Sequence, residues 1–246
     1  MDDLREHPQI EELMDVLEKN NMLKEKAEVE SLVDYIGDME KTLTEMLKEM
    51  KNMRQEINLI HNGTLKAKCE SLVRKTEVGI SKAVEIVKKV KDNLVQAAKN
   101  AVKALKEKGR EAFQKAVRAM KVPETLDMLT GVCLICSKEN KQNALQLQSM
   151  QSELSTAKGH LKNVGRLLIG KSAKEAEVIK SDKGILGRIG KLMEKIGKGY
   201  EGLAQKAADR ADKIRANHVR ESVKDALDTL KGIPGEIERH EPSRDR

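Results

Sequence analysis

Two short motifs in this chain carry residue types of known chemistry. Gly165, Gly170, Lys171 and Ser172 satisfy GxxxxGKS, a phosphate-cradling pattern in which backbone N–H groups, the Lys ammonium and the Ser hydroxyl hold nucleotide phosphates and magnesium. Cys133 and Cys136 form a CxxC, the spacing of a redox dithiol or of half a zinc site. Neither has the surroundings its chemistry needs. A phosphate loop follows a strand and opens a helix, whereas Leu154, Leu161 and Leu168 carry a helical repeat through the first half of the motif. No later apolar strand ends in an Asp that would serve magnesium. A zinc site needs two more ligands, yet Cys69 is remote in sequence and no second CxxC or His pair lies near. A spacing of three also separates adjacent core rows of a helix, so packing accounts for the thiol pair. The five His, at 7, 61, 160, 218 and 240, show neither HExxH nor close pairing. The acidic residues are interspersed with Lys at helix-surface spacing, which argues for no general acid or base. The expectation is a non-enzymatic chain with no catalytic residue, no cofactor, no metal and no small-molecule substrate.

The elements that carry these residues follow from composition. The chain has 246 residues, 35% charged and 1% aromatic, with no Trp and four Pro. Tyr35, Phe113 and Tyr200 are its aromatic side chains, so a core has to be built from Leu, Ile, Val, Met and Ala. An excess of Ala, Glu, Lys, Leu and Arg with few Pro suits long helices, and the fold class expected is all-α. Three cysteines make no disulfide scaffold, and the acidic opening has no cationic region followed by an apolar one. The longest apolar run, residues 132–136, falls far short of the roughly 20 residues that span a bilayer. A reducing cytoplasm is expected, with the periphery of a membrane as an alternative.

Charge is unevenly placed. Counting Lys and Arg against Asp and Glu, residues 1–60 carry −8, residues 61–122 carry +10, residues 123–155 carry −2 and residues 156–246 carry +7. The acidic head and basic middle can attract each other within one chain or between copies, or the middle can meet an anionic partner.

Residues 1–61 read as an acidic helical hairpin. Pro8 suits a helix start, and Ile10, Leu13, Met14 and Leu17 share one stripe of a short helix ending near Asn20. The next helix has Val29, Ile36, Leu43, Met50 and Ile57 every seven residues, interleaved with Leu32, Met39, Met46, Met53 and Ile60. Such a heptad seam must be covered by another helix, and the short first helix is the expected cover for its beginning. Residues 64–122 read as a basic long helix or helix pair, in which Val87, Val90, Leu94, Ala98, Ala101, Leu105, Gly109, Ala112, Ala116 and Met120 step through an eleven-residue repeat. Residues 123–170 read as a second heptad helix, with Leu126, Cys133, Asn140, Leu147, Leu154, Leu161 and Leu168 in one row and Leu129, Cys136, Asn143, Met150, Ala157 and Val164 in the other. Asn140 and Asn143 stand at core positions, where buried Asn costs stability and fixes register or partner number.

Residues 171–233 read as Gly- and Lys-rich amphipathic helices, and residues 234–246 as a disordered tail. Two parts of 171–233 differ. Ile185, Leu186, Ile189, Leu192, Met193, Ile196, Tyr200 and Leu203 oppose Arg188, Lys191, Lys195 and Lys198. Val219, Val223, Ala226, Leu230 and Ile233 then continue an apolar alternation. The first part has the composition of a helix lying in a membrane interface. The preferred reading is that Gly187, Gly190 and Gly197 let another helix approach closely. Candidate contacts for an anionic partner are Lys82, Lys88, Lys89, Lys99, Lys103 and Lys106 of the basic middle, with Arg188, Lys191, Lys195 and Lys198. Without aromatics to stack on bases, nucleic-acid binding there would be sequence-tolerant and salt-sensitive.

The run from Arg5 to Leu13, REHPQIEEL, followed by Ser31 to Ile36 and by Met53 to Glu56, resembles an uncharacterised family of helical proteins encoded on bacterial conjugative and other mobile elements. The likeness continues through Asn100 to Ala104, His160 to Asn163 and Lys195 to Gly199, which spreads it over most of the chain. It implies a bacterial, mobile-element setting and assigns no activity or site residue. The function expected is that of a structural or adaptor protein acting through coiled-coil packing, with a second copy or a helical protein as partner. A nucleic-acid accessory protein and a membrane-surface protein are the alternatives.

Overall fold

The computed structural model describes residues 4–61, 63–174 and 184–231. These fold as helices, with no β-strand among the described residues: α1 (Pro8–Lys19), α2 (Leu23–Ile57), α3 (Gly63–Lys108), α4 (Arg110–Arg118), α5 (Val122–Leu168) and α6 (Ile185–Lys231), after a 3-10 turn at Leu4–Glu6. The expected tail and the turn at 181–184, save Gly184, lie outside the described residues.

The four long helices form an up-down-up-down bundle, and cross-helix contacts show the directions. Arg54 and Lys91 pair with Glu77 and Glu40, which sets α2 antiparallel to α3. Asn143 donates to the Thr76 hydroxyl at 3.3 Å and a β-carbon on Gly79 would meet Glu139 Oε2 at 4.0 Å, which together set α3 antiparallel to α5. Arg188 and Arg210 reach Glu56 and Asp38 at 3.0 and 3.6 Å, making α6 antiparallel to α2. The α5–α6 pair is the most extensive packing in the chain. A β-carbon on Gly197 would meet Lys141 Cγ at 3.2 Å and the Ser137 carbonyl at 3.4 Å, and one on Gly190 would meet Leu147 Cβ at 3.9 Å. These two glycines therefore let the α6 backbone lie directly on α5.

Short-range chemistry places the breaks. Asn21 adopts φ 57°, a conformation that Asn tolerates better than other non-glycine residues, and turns α1 into α2. Gly109 at φ 81° ends α3 and restarts the chain as α4. This break corrects the expected eleven-residue row. Ala98 and Ala101 are buried, but after the phase resets it is Phe113 and Val117 that enter the core, while Gly109 is exposed and Ala112 and Ala116 are half-buried. In the Gly-rich 171–233 region, residues 185–231 form one continuous helix that carries both of the parts of different character. Val219 and Val223 are exposed.

The core sits where the four helices meet. Every residue of the α2 rows from Val29 to Ile57 is buried, with Ile60 half-buried beyond the helix end. The short α1 buries Ile10, Leu13 and Leu17, and packs on α3 more than on α2. At the centre Tyr35 donates to the Leu203 carbonyl at 3.1 Å and lies 3.8 Å from Cys133 Sγ. Arg210 covers the Tyr35 ring at 5.9 Å, a cation–π contact.

Candidate interaction surface on the distal part of α5

The heptad rows of α5 meet two different fates. From Leu126 to Leu147 the row faces the bundle: Leu126, Leu129, Cys133, Cys136, Asn140 and Leu147 are buried, as are Ser137 and Ala144 beside them. Past Leu147 no residue of α5 is buried, although the rows continue without a break. Leu154 is 44% exposed, Leu161 73%, Val164 53% and Leu168 82%. Residues 154–168 thus project an apolar stripe about 20 Å long, at 1.5 Å per residue.

The end of α5 explains the phosphate-loop motif. Gly170 at φ 73° sends its N–H to the Leu167 carbonyl at 3.0 Å, and Lys171 sends its own to the Arg166 carbonyl at 2.9 Å. This pair of bonds is a Schellman helix cap, in which Gly supplies the left-handed residue. The first half of the motif is helix and its second glycine closes that helix, so no backbone cradle for phosphate forms. The following residues turn back along α5. Asn163 exchanges two bonds with Lys174, at 2.6 and 3.0 Å, and Arg166 donates to the Ser172 carbonyl at 3.0 Å. Asn163 and Arg166 stand on the helix face away from the apolar rows, so the return segment through Lys174 leaves the stripe uncovered.

The CxxC belongs to the core. Cys133 and Cys136 are 0% and 8% exposed, and burial pushes the Cys133 thiol up to about 11 and raises Cys136 as well. Both are thus held as neutral thiols near neutral pH, the opposite of a reactive pair. Among the described residues, no three His, Cys, Asp or Glu side chains are grouped to hold a metal ion. The two Asn are also satisfied inside the chain, at least in part. Asn140 donates to the Cys136 carbonyl at 2.7 Å, with no partner for its own Oδ1, and Asn143 bonds Thr76 of α3. They sit in packing between helices of one chain.

Most of the candidate cations are engaged with acids. Lys106 of α3 meets Glu12 of α1 at 2.7 Å, while Arg188 and Lys195 of α6 meet Glu56 and Glu49 of α2. Lys89, Lys103 and Lys198 pair one turn away with Glu85, Glu107 and Glu194, and Lys191 is exposed on α6. Lys82, Lys88 and Lys99 are exposed and have no ion pair among the described residues. Lys106–Glu12 and Lys91–Glu40 are ion pairs between the basic middle and the acidic head within one chain. The apolar side of 185–200 is spent likewise, with Leu186, Ile189, Met193, Ile196 and Tyr200 buried in the bundle. Among the described residues no helix is long and apolar enough to cross a membrane.

A groove of about 640 Å³ between α3 and α5 was not foreseen from the sequence. Val132 and Ile135 line it, with Arg74, Lys75 and Lys82 on the α3 side. Its only advance signal was the mixed apolar and basic outer face of α3. The exposed Leu167 and Ile169 beside the stripe were also missed, since they stand outside the heptad rows.

Fold and surface together define an all-helical protein with an antiparallel four-helix body and one helix projecting from it. The chain belongs to a family of unknown function, DUF6674, whose profile matches residues 6–246. Comparison with curated proteins and with solved structures finds no match.

Proposed function

We propose that this chain is a non-enzymatic structural or adaptor protein that works by self-association through coiled-coil packing of the distal part of α5. The observation that carries the reading is the unbroken heptad pattern of α5, buried up to Leu147 and exposed from Leu154 onward. A helix of this length with Gly159, Gly165, Ser155 and Asn163 in it has poor intrinsic stability in water, so packing on the stripe must supply what propensity does not. An exposed run of Leu and Val at core spacing marks an interaction site. The resemblance to proteins of bacterial mobile elements gives the setting in which such an assembly would work, in the cytoplasm.

A sequence-tolerant nucleic-acid partner is the second reading, and it rests on the exposed Lys82, Lys88 and Lys99, which pair with no described acid. A membrane-surface role draws less support, because the apolar side of 185–200 faces inward. Light scattering of the purified chain, alone, with duplex DNA and with anionic vesicles, separates the three. Self-association predicts an oligomer indifferent to both additions. A monomer that gains mass only with DNA or only with vesicles would replace it with that partner class.

A further inference from the structure

We infer that two copies of this chain pair antiparallel through residues 150–168 of α5, with the two-fold axis level with Gly159. The inference rests on the self-association proposed above and adds its direction and register.

Direction follows from where the body lies. Over 126–147 the same two rows of α5 are covered by α2, α3 and α6, so the body stands on the stripe's side of the helix. A heptad seam drifts about 20° per heptad on a straight helix. The buried and exposed halves are centred about three heptads apart, which leaves body and partner on the same side. A parallel partner in register would carry its own residues 122–147 through the space that α2 and α6 of the first copy occupy. An antiparallel partner runs the other way, and its body falls beyond the tip of the first copy's α5. Both bodies then fit, one at each end of a closed two-fold pair.

Register follows from what is exposed and from size. Leu147 is fully buried, so it has no surface left for a partner, and the overlap has to start beyond it. Matching 150–168 against itself sets Leu154 opposite Val164 of the second copy and Ala157 opposite Leu161 of the second copy, each contact occurring twice. Leu168 then meets Met150 at both ends. Small Ala157 facing large Leu161 lets the layers interdigitate, whereas a parallel pair would set Ala157 on Ala157 and leave a void. The arrangement brings the two Lys158 side chains near the axis, where their long stems carry the charges out to water. The return segment through Lys174 lies on the outer face of α5, clear of this contact.

Two single-cysteine variants, Leu154→Cys and Val164→Cys, test the direction in the full chain. Both positions are exposed, and the native thiols are buried. Each variant is incubated with a mild oxidant alone and as a mixture of the two, beside the unaltered chain, with light scattering before oxidation and circular dichroism to verify the fold. The expected result is a dimer by mass in every sample and a covalent dimer only in the mixture. A covalent dimer from Leu154→Cys alone would overturn the antiparallel assignment while leaving self-association intact. A dimer by mass that cross-links in no sample would place the contact elsewhere and overturn the inference. A monomer by mass would overturn self-association itself.

Discussion

Replacing Gly197 measures how closely α6 lies on α5, and a second glycine of the same helix provides the reference. Gly202 is exposed and a β-carbon there would have nothing within 4 Å, so Gly202→Ala collects the helix-propensity gain alone. That gain is about 0.8–1 kcal/mol. At Gly197 the added carbon would stand 3.2 Å from Lys141 Cγ and 3.4 Å from the Ser137 carbonyl oxygen. The Lys141 stem can shift, but the carbonyl is part of α5 and shifts only with the helix. Gly197→Ala is therefore expected to lose most or all of the gain, and Gly197→Leu to destabilise by about 1–3 kcal/mol through overpacking. Urea unfolding monitored by circular dichroism reads all three as midpoint shifts at constant slope. In thermal melts, Gly202→Ala should raise the midpoint by about 2–4 °C. If Gly197→Leu were as stable as the native chain, or if Gly197→Ala gained as much as Gly202→Ala, the close α5–α6 approach would be refuted.

Two further perturbations address the buried centre. Cys133 has its thiol raised from 9.0 to about 11 by burial. Between pH 9 and 11 the unfolded chain has lost a proton that the folded chain keeps, so the contribution is complete below pH 9. It declines by about 1.4 kcal/mol per pH unit above that. Cys69 and Cys136 are raised too, and burial raises the Tyr35 and Tyr200 phenols, which extends the loss above pH 10. Stability that stayed level from pH 8 to pH 11 in urea titrations would contradict this. Tyr35→Phe removes the 3.1 Å bond to the Leu203 carbonyl and is expected to cost about 1 kcal/mol. Tyr200→Phe, whose buried hydroxyl lies against the Cys136 thiol, a weak hydrogen-bond partner, is expected to cost less than Tyr35→Phe. Equal losses in the two variants would show that the hydroxyls are not distinguished as described.

The helices were legible where apolar spacing was regular. The rows of α2, from Val29 to Ile57, enter the core as their spacing implies, because a strict seven-residue repeat leaves a helix one face to bury. Breaks were less legible. Gly79 and Gly109 are alike in sequence, yet Gly79 stays helical while Gly109 turns left-handed and shifts the buried row to Phe113 and Val117. Within 171–233 the sequence shows two stretches of different character, and one helix, α6, carries both. Four glycines between 185 and 200 weaken a helix in isolation, but at Gly190 and Gly197 the helix lies against α5, and packing supplies what propensity does not. Periodicity was silent on one matter altogether. The rows of α5 look the same before and after Leu147, and whether a seam is closed by its own chain depends on where α6 begins, a property of the fold and not of the repeat. Net charge likewise implied attraction between head and middle without naming Lys106 and Glu12, or Lys91 and Glu40, as the pairs.

Self-association through the distal stripe is tested most directly by the solution mass of the native chain and of Leu161→Glu across a concentration series. Leu161 is 73% exposed in one copy, so the substitution leaves the fold of the single chain untouched while placing a charge in the contact between copies. The native chain is expected to approach twice its 27.5 kDa as concentration rises, and Leu161→Glu to remain at the single-chain mass with unchanged helicity. A native chain that stays monomeric, or a variant that associates as well as the native chain, would contradict the account.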